Sequence, residues 1–428
     1  MARCAWLVCS VAMLVGCRPT QGEDAAERPW DRVASAVLQG TVRDGAWDVD
    51  EEGIAYCVVT GREEDREAEA IVALDTRSGK QLWRITAGLD AATTYLLRVP
   101  GGPVVAYLPG QAIIGLDPRT GARLWRQEAG EPTWVSEWIA SKPPADLWPQ
   151  PPPPPGALAI AGERILVLSP SGLTRIDPAD GRRAWSLALH LRDYFAYSAP
   201  VIAGQTAFCV VPDVEERAFH RRLVAVDVAT GRELWSADAG PIPRIGDPPM
   251  APMPAGACAA DGQGVVCLRH RVDEALTVEE YTPRPLLVCL DPHSGALRWR
   301  APLPKWPYEE ANPTGLVSSG DYGGVLLCSG PFLVYDLVGG RVLYECMHLS
   351  PTPPAISGQF LAHLSHEDAL IIVDLEWGQE VATVDLGMLY SGEANEYVLG
   401  EVRAIGDRFA VVQPNDRGDR TRIVLVGR

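Results

Sequence analysis

Short apolar runs separated by turn residues dominate the chain, and one combination of them recurs along most of its length. Each complete copy is an apolar run that ends in Asp, followed four residues later by Gly and four residues after that by Trp. Asp opens a turn by accepting a hydrogen bond from the amide two residues on, and Gly supplies a positive φ. Trp offers a large ring for packing between neighbouring sheets. The pattern, which we call the cassette, therefore predicts a hairpin made of the third and the outermost strand of a sheet.

Seven cassettes are visible, and the Asp residues recur at intervals of 38 to 64 residues. This period is typical of β-propeller blades. Two late copies are decayed, with Tyr344 or Ala382 in place of Trp. The five complete cassettes are Asp75, Gly79 and Trp83; Asp117, Gly121 and Trp125; Asp177, Gly181 and Trp185; Asp227, Gly231 and Trp235; and Asp291, Gly295 and Trp299.

A second hairpin precedes each cassette, as in residues 157–167 and 200–210, so that each unit has four strands. After the seventh cassette the chain supplies only three more strands, whereas the strand-like run 32–39 is left without a partner. Using that run as the missing strand closes the ring and removes the open edges. We predict an all-β fold, a single β-propeller of four-stranded antiparallel blades, with eight blades closed by the N-terminal strand; seven is the alternative.

The cassettes resemble the PQQ-like (quinoprotein-type) propeller repeat over residues 41–428. That family includes quinoprotein alcohol dehydrogenases and BamB, the lipoprotein subunit of the outer-membrane β-barrel assembly machinery. The resemblance implies the propeller fold, and by itself it does not choose between a scaffold and an enzyme. In the enzymes it implies an adjacent Cys–Cys disulfide, a Ca²⁺ ion and a catalytic Asp. This chain has no adjacent pair of cysteines.

The N-terminal residues 1–16 have the form of a signal peptide, with Arg3 followed by an apolar run. The run ends in Leu-Val-Gly-Cys, which resembles the lipobox of bacterial lipoproteins and implies that Cys17 is the acylated first residue of the mature chain. Residues 17–31 are then a flexible tether, and 32–428 the propeller. Arg18, rather than Asp, follows the cysteine, so the expected location is the outer membrane, facing the periplasm.

The formal charge of −17 excludes a nucleic-acid partner, because such binding needs clustered Lys and Arg. Three long insertions are instead expected to rim one face of the disc, where a protein partner can bind. They are 134–156, with the proline run 151–155, 240–256 and 274–285. The only membrane contact expected is the lipid anchor, and the protein is expected to be a monomer.

The remaining reactive residues have simpler structural interpretations. Cysteines 57, 209, 267 and 328 fall at similar places in second strands, which predicts small buried hydrophobic residues. Cys258 and Cys267 flank a turn, so a bridge between them is an alternative. The cluster at His363 and His366 is predicted to lie in a turn rather than to bind a metal.

We therefore predict a lipid-anchored, non-catalytic propeller that acts as a protein-binding scaffold at the cell envelope, with no catalytic, cofactor-binding or metal-binding residues. The alternative is a PQQ- and Ca²⁺-dependent quinoprotein dehydrogenase, or another enzyme built on the central funnel.

Overall fold

A computed structural model gives the fold and describes residues 29–39, 41–63, 66–86, 95–108, 112–128, 157–161, 163–169, 172–189, 200–213, 220–241, 258–260, 264–271, 284–302, 313–319, 322–327, 332–346, 354–365, 369–387, 400–414 and 420–428. Within these ranges every regular element is a β-strand, and none is a helix long and apolar enough to cross a membrane. The predicted signal peptide, Cys17 and most of the tether lie outside the described residues.

The described strands form eight four-stranded antiparallel sheets, which we number as blades 1 to 8. Blade 1 is β2 (Thr41–Val49), β3 (Ile54–Glu63), β4 (Arg66–Asp75) and β5 (Lys80–Ile85). Blade 2 is β6 (Tyr95–Arg98), β7 (Val104–Leu108), β8 (Ala112–Leu116) and β9 (Arg123–Glu128). Blade 3 is β10 (Ala157–Ala161), β11 (Arg164–Ser169), β12 (Gly172–Ile176) and β13 (Arg183–Leu187). Blade 4 is β14 (Val201–Ala203), β15 (Thr206–Asp213), β16 (His220–Asp227) and β17 (Glu233–Pro241).

The other four blades repeat this arrangement. Blade 5 is β18 (Cys258–Ala260), β19 (Val265–Arg271), β20 (Arg284–Leu290) and β21 (Leu297–Pro302). Blade 6 is β22 (Pro313–Ser319), β23 (Tyr322–Leu327), β24 (Phe332–Asp336) and β25 (Val342–Cys346). Blade 7 is β26 (Ala355–Ser357), β27 (Phe360–Leu364), β28 (Ala369–Asp374) and β29 (Gln379–Asp385). Blade 8 is β30 (Glu401–Ile405), β31 (Arg408–Pro414), β32 (Arg420–Gly427) and, as its outer strand, β1 (Asp31–Gln39).

The N-terminal strand occupies the place predicted for it. β1 pairs antiparallel with β32, from Asp31 opposite Gly427 to Gln39 opposite Arg420. The first strands of successive blades contact one another from blade 1 to blade 8, and β2 contacts β31. The prediction of a β-propeller is confirmed, and the strand that begins at Asp31 is one residue longer than predicted.

The hydrophobic core lies between the blades. One cluster joins Trp47, Cys57 and Val72 of blade 1 to Ala410 and Ile423 of blade 8, and others join successive pairs of blades around most of the ring. Middle strands such as β7 and β8 are buried along their whole length because both of their faces meet a neighbouring blade. Stability therefore depends on how each blade packs against the next.

The seven cassettes lie on the third and fourth strands, as predicted, and they place their turns on one face of the disc. These turns hydrogen-bond to the turns between first and second strands, as from Thr76 N–H to the Gly53 carbonyl (3.1 Å) and from Val228 N–H to the Gln205 carbonyl (2.9 Å). The pairing of Asp31 with Gly427 puts both ends of the described chain on the same face. We call it the turn face.

The opposite face receives the long insertions. Residues 129–156 connect Glu128 to Ala157, and 242–257 connect Pro241 to Cys258, each from the end of an outer strand to the start of the next blade. Residues 272–283 join β19 to β20 at the same end of blade 5. The antiparallel order of the strands puts all these ends opposite the cassette turns. We call this side the loop face.

Candidate functional site

Each complete cassette fastens its blade to the turn of the next blade, as Trp125 shows. Trp125 lies on β9, and its ring covers Gly181 in the cassette turn of blade 3, where an added Cβ would come within 2.5 Å of the ring. The indole N–H donates a hydrogen bond of 2.7 Å to the carbonyl of Pro178 in the same turn. Gly181 has a φ of 72°, in the region that favours glycine. Backbone conformation and close approach therefore both require glycine here.

We call this contact a tryptophan latch, and five of them join blade 1 through to blade 6. The indole N–H donates across the blade interface from Trp83 to Pro118 (2.9 Å), Trp125 to Pro178 (2.7 Å), Trp185 to Val228 (3.0 Å), Trp235 to Pro292 (3.0 Å) and Trp299 to Leu337 (2.8 Å). The cassette predicts a strand that ends in Trp, and this expectation is wrong: β5 continues for two residues after Trp83, and β9 for three residues after Trp125.

The cassette Asp residues act as turn formers. Asp117 accepts hydrogen bonds from the amides of Arg119 (2.9 Å) and Thr120 (2.8 Å) and from the Thr120 hydroxyl (3.0 Å). The bonds from Thr120 lower the pKa of Asp117. At Asp291, a hydrogen bond from Arg298 is the main cause of a lowered pKa. These carboxylates are ionised and already engaged by their own turns.

The series of latches stops at blade 6. Tyr344 takes the place of Trp on β25, and a Cβ at Gly378 would meet the Leu343 carbonyl at 2.9 Å instead of a ring. Ala382 follows at the same position of blade 7. No ring covers Gly79 in the turn of blade 1, where nothing lies within 4 Å of an added Cβ. The arc from blade 6 through 7 and 8 to blade 1 is therefore joined by other contacts.

Residues that flank β1 and β32 replace the latch between blades 7 and 8. Trp30, just before β1, packs against Phe360 of blade 7 and Phe409 of blade 8, with ring centroids 5.4 and 5.6 Å apart. The guanidinium of Arg428 lies 5.0 Å from the centre of the Trp30 ring and 4.2 Å from that of Phe360. The residue before β1 and the residue after β32 thus hold this joint together.

Charged residues join blades 8 and 1 close to the ring centre, on the first strands. The indole N–H of Trp47 donates to the Glu401 carboxylate, and Arg403 donates to the Trp47 carbonyl. The Arg403 guanidinium lies over the Trp47 ring, 4.5 Å from its centroid, and 3.8 Å from the Glu401 carboxylate. Trp47 is fully buried, so its polar atoms are satisfied within this contact.

A second set of charges joins blades 1 and 2. Asp48 accepts a hydrogen bond of 2.7 Å from the backbone N–H of Arg98, and Asp50 accepts one of 2.9 Å from the Tyr56 hydroxyl. The Arg98 side chain lies 3.9 Å from Asp50. Burial raises the pKa of both carboxyls, and the positive charges of Arg403 near Asp48 and of Arg98 near Asp50 oppose that rise.

We call the charged residues of these two contacts, together with Trp47, the inner-strand cluster: Trp47, Asp48, Asp50, Arg98, Glu401 and Arg403. The cluster does not have the donor set of a Ca²⁺ site. A calcium site collects six to eight oxygen ligands. Here Asp50 and Glu401 each face a guanidinium, and Asp48 is held by backbone amides. In the part of the chain that the structure describes, no group of three or more His, Cys, Asp or Glu side chains is placed to hold a metal ion. The cluster instead fits a structural joint between blades 8, 1 and 2.

The histidine prediction needs a correction. His363 lies within β27 and is buried against Phe332 of blade 6, with ring centroids 5.1 Å apart, rather than in the following turn. Its apolar neighbours explain the difference, because the residue packs between two blades. Residues 366–368 lie outside the described ranges.

The cysteine predictions are tested at several positions. Cys57 and Cys209 are buried, as expected of small hydrophobic residues, and so is Cys289 on the third strand of blade 5. Burial raises the pKa of the Cys57 thiol. Cys258 stands opposite Cys267 in the pairing of β18 with β19, and a bridge between them stays a prediction. Cys328 lies outside the described residues.

Sequence reasoning missed the inner-strand cluster and Trp30. First strands carry no cassette, so Asp48, Arg98 and Arg403 stand in no repeated pattern. Trp30 could have been found, since a lone Trp precedes the closing strand and blade 7 lacks the Trp of its cassette.

Fold and latches together define a PQQ-like β-propeller. A family model described as outer membrane protein assembly factor BamB matches residues 49–146 and 130–384. The chain belongs to this family. The comparison with curated proteins gives no match.

Solved structures agree on the fold. BamB from Moraxella catarrhalis is 14% identical with a TM-score of 0.56, over 92% of this chain and 99% of that one. The Saccharomyces cerevisiae protein Sqt1 is 12% identical with a TM-score of 0.54, over 94% and 98% of the two chains. Quinohemoprotein alcohol dehydrogenase from Comamonas testosteroni is 12% identical with a TM-score of 0.50, over 94% and 77%. At these identities the likeness shows the fold alone.

Proposed function

We propose that the protein is a lipid-anchored, non-catalytic scaffold of the bacterial outer membrane that presents its loop face to a protein partner in the periplasm. One observation carries the proposal: the chain enters the propeller on the turn face, whereas the long insertions leave from the loop face. An acyl group on Cys17 would hold the turn face towards the membrane. The strand ends that these insertions connect then lie on the far side of the disc, where a partner can approach.

The family supports the choice of partner. The matching model is named for an outer membrane assembly factor, so a component of the barrel-assembly machinery is the proposed partner. The inner-strand cluster supports the non-catalytic reading, because arginine side chains and backbone amides hold its carboxylates.

Two experiments test the proposal. In the native host, a radiolabelled fatty acid should label the chain and not the Cys17→Ala variant, and only the labelled chain should sediment with outer membranes. Cross-linking followed by purification should recover a barrel-assembly component. If no such component is recovered, that partner is wrong; if no label is incorporated, the anchor is wrong.

The dehydrogenase alternative has its own test. Titration of the purified protein with PQQ and Ca²⁺, followed by cofactor absorbance and dye reduction, should show no saturable binding. Saturable binding with dye reduction would replace the scaffold by an enzyme.

A further inference from the structure

The cassette turns of blades 6 and 7 each expose a large apolar side chain, where the corresponding positions of the five complete cassettes carry Ser, Thr, Asp, Arg, Ala or His. Trp377 is 71% exposed and Val338 is 55% exposed, both in cassette turns, and Val342 at the start of β25 is 44% exposed. Gly378, next to Trp377, lies against the backbone of Leu343, so the turn of blade 7 lies beside the start of β25, the strand that follows the turn of blade 6. We call Val338, Val342 and Trp377 the apolar turn patch.

Local turn chemistry does not explain Trp377. In four other cassettes the residue three positions after Asp is Ser or Thr, and its hydroxyl hydrogen-bonds to that Asp, as Ser294 does to Asp291 at 3.0 Å. Trp377 occupies this position in blade 7, and its side chain has no hydroxyl to form that hydrogen bond with Asp374. Its ring is largely in solvent, so packing in the core does not offset the loss. An exposed Trp held at the tip of a tight turn favours a binding role.

The course of the chain points to what this patch meets. Pro29 and Trp30 lie on the turn face, and Trp30 packs against Phe360 of blade 7, the blade that carries Trp377. The stretch from Cys17 to Pro29 can span at most about 40 Å when fully extended, and about 20 Å as a flexible coil. A membrane that holds Cys17 is therefore close to the turn face at blades 7 and 8.

We propose that the apolar turn patch inserts into the headgroup region of the bilayer to which the chain is anchored, and so fixes the tilt of the propeller. The inference rests on the proposed acylation of Cys17. Trp is the side chain best suited to this region, because its ring is apolar and its N–H remains hydrated. Val338 and Val342 add apolar area beside it. The exposed charges nearby are of both signs, with Glu376 and Asp407 against Arg341 and Arg428, so the surface fits a headgroup layer of mixed charge.

The test places a photoreactive benzoylphenylalanine at position 377 of the full acylated chain in native membranes. Position 128 is the matched control, because the side chain of Glu128 is equally exposed (72%) and ends β9 on the loop face. On illumination, lipid adducts at 377 should exceed those at 128 by at least about fivefold, as expected for a residue seated at the interface. A second probe at position 338 should also give lipid adducts.

The outcomes separate the two proposals. A chain that carries the acyl label but gives no lipid adduct at 377 overturns the patch and leaves the anchor intact. A protein adduct at 377 also overturns it, because the patch is then a protein interface. A chain without the acyl label removes the anchor and this inference with it. The Trp377→Ser variant should keep its thermal midpoint, which shows that the side chain is not needed for folding.

Discussion

Two features can require glycine in a cassette turn: a positive φ and the close approach of a Trp ring. Gly79 and Gly181 allow the two to be compared, because only Gly181 has both. Gly79 and Gly181 have similar φ values, 68° and 72°. A Cβ at Gly79 would meet nothing within 4 Å, whereas one at Gly181 would collide with the ring of Trp125. Comparing the two positions therefore measures the latch apart from the turn.

We expect Gly181→Ala to destabilise the protein more than Gly79→Ala. Both variants lose about 1–2 kcal/mol from the left-handed backbone conformation. Gly181→Ala also displaces the Trp125 ring, at a further cost of about 1–3 kcal/mol. Urea unfolding followed by circular dichroism measures both losses. Equal losses would show that the latch does not limit stability.

Arg403 offers a prediction that depends on pH. Arg403→Met removes the positive charge that counters the burial of Asp48 and so raises the pKa of that carboxyl further. A folded pKa above the unfolded value means that stability is complete at low pH and is lost as pH rises through the folded pKa. The variant should thus be destabilised by about 1–2 kcal/mol more at pH 7 than at pH 4. The lost contacts of Arg403 with the Trp47 carbonyl and ring reduce stability equally at both pH values.

Thermal unfolding of Arg403→Met across this pH range provides the measurement. Arg408→Met is the control, because Arg408 lies 3.8 Å from the exposed Asp407 and its loss should be small at every pH. A destabilisation of Arg403→Met that is the same at pH 4 and pH 7 would contradict the charge argument.

Among the elements, β1 has the most unusual task, since it completes a sheet whose other strands come from the far end of the chain. The contacts of Trp30 with Phe360 and Phe409 hold its beginning in place. Where five other blades use a latch, blades 7 and 8 depend on this one residue and on Arg428.

Trp30→Ala should therefore loosen the closing strand. We expect a loss of about 2 kcal/mol, below the range for a fully buried Trp because Trp30 is half-buried. Relative to the unchanged protein, amide hydrogen exchange in the variant should become faster in β1 and β32 and stay the same in β5, which would locate the effect at the closing strand. The control is Val33→Ala, at an exposed position of the same strand, with a loss below about 0.5 kcal/mol. Uniform faster exchange in all blades would contradict a local role.

The elements also show what the sequence can and cannot predict. The cassette hairpins and the partner of β1 were predictable, because Asp, Gly and Trp each have one local task and the last sheet lacked a strand. The burial of His363 was not, since a polar residue after a short apolar run resembles a turn and only the neighbouring blade supplies Phe332. The inner-strand cluster depends on which first strands become neighbours, which no local pattern records.

At the scale of the whole molecule, stability and partner binding are expected to reside on different parts of the disc. The eight described sheets are complete without any residue of 129–156. Deletion of 151–155 should change the free energy of unfolding by less than about 0.5 kcal/mol, as a surface change does. The same deletion should reduce partner cross-linking in native membranes.

A Gly-Ser replacement of the same five positions is the matched control for length. If this replacement restores cross-linking, spacing rather than the proline run matters; if it does not, the prolines themselves are recognised. A deletion that unfolds the protein would place the insertion within the stable core and contradict the division of tasks.

The pairing of β1 with β32 also sets the order of events as the protein is made. Synthesis begins at the N-terminus, so β1 exists long before residues 420–427, the partner strand with which it pairs among the described strands. Until then Ala36 and Leu38, buried in the finished molecule, have no partner strand to cover them. Closure between distant segments is slow and leaves apolar surface open to aggregation. A nascent chain released before residue 420 can therefore never complete its eighth sheet.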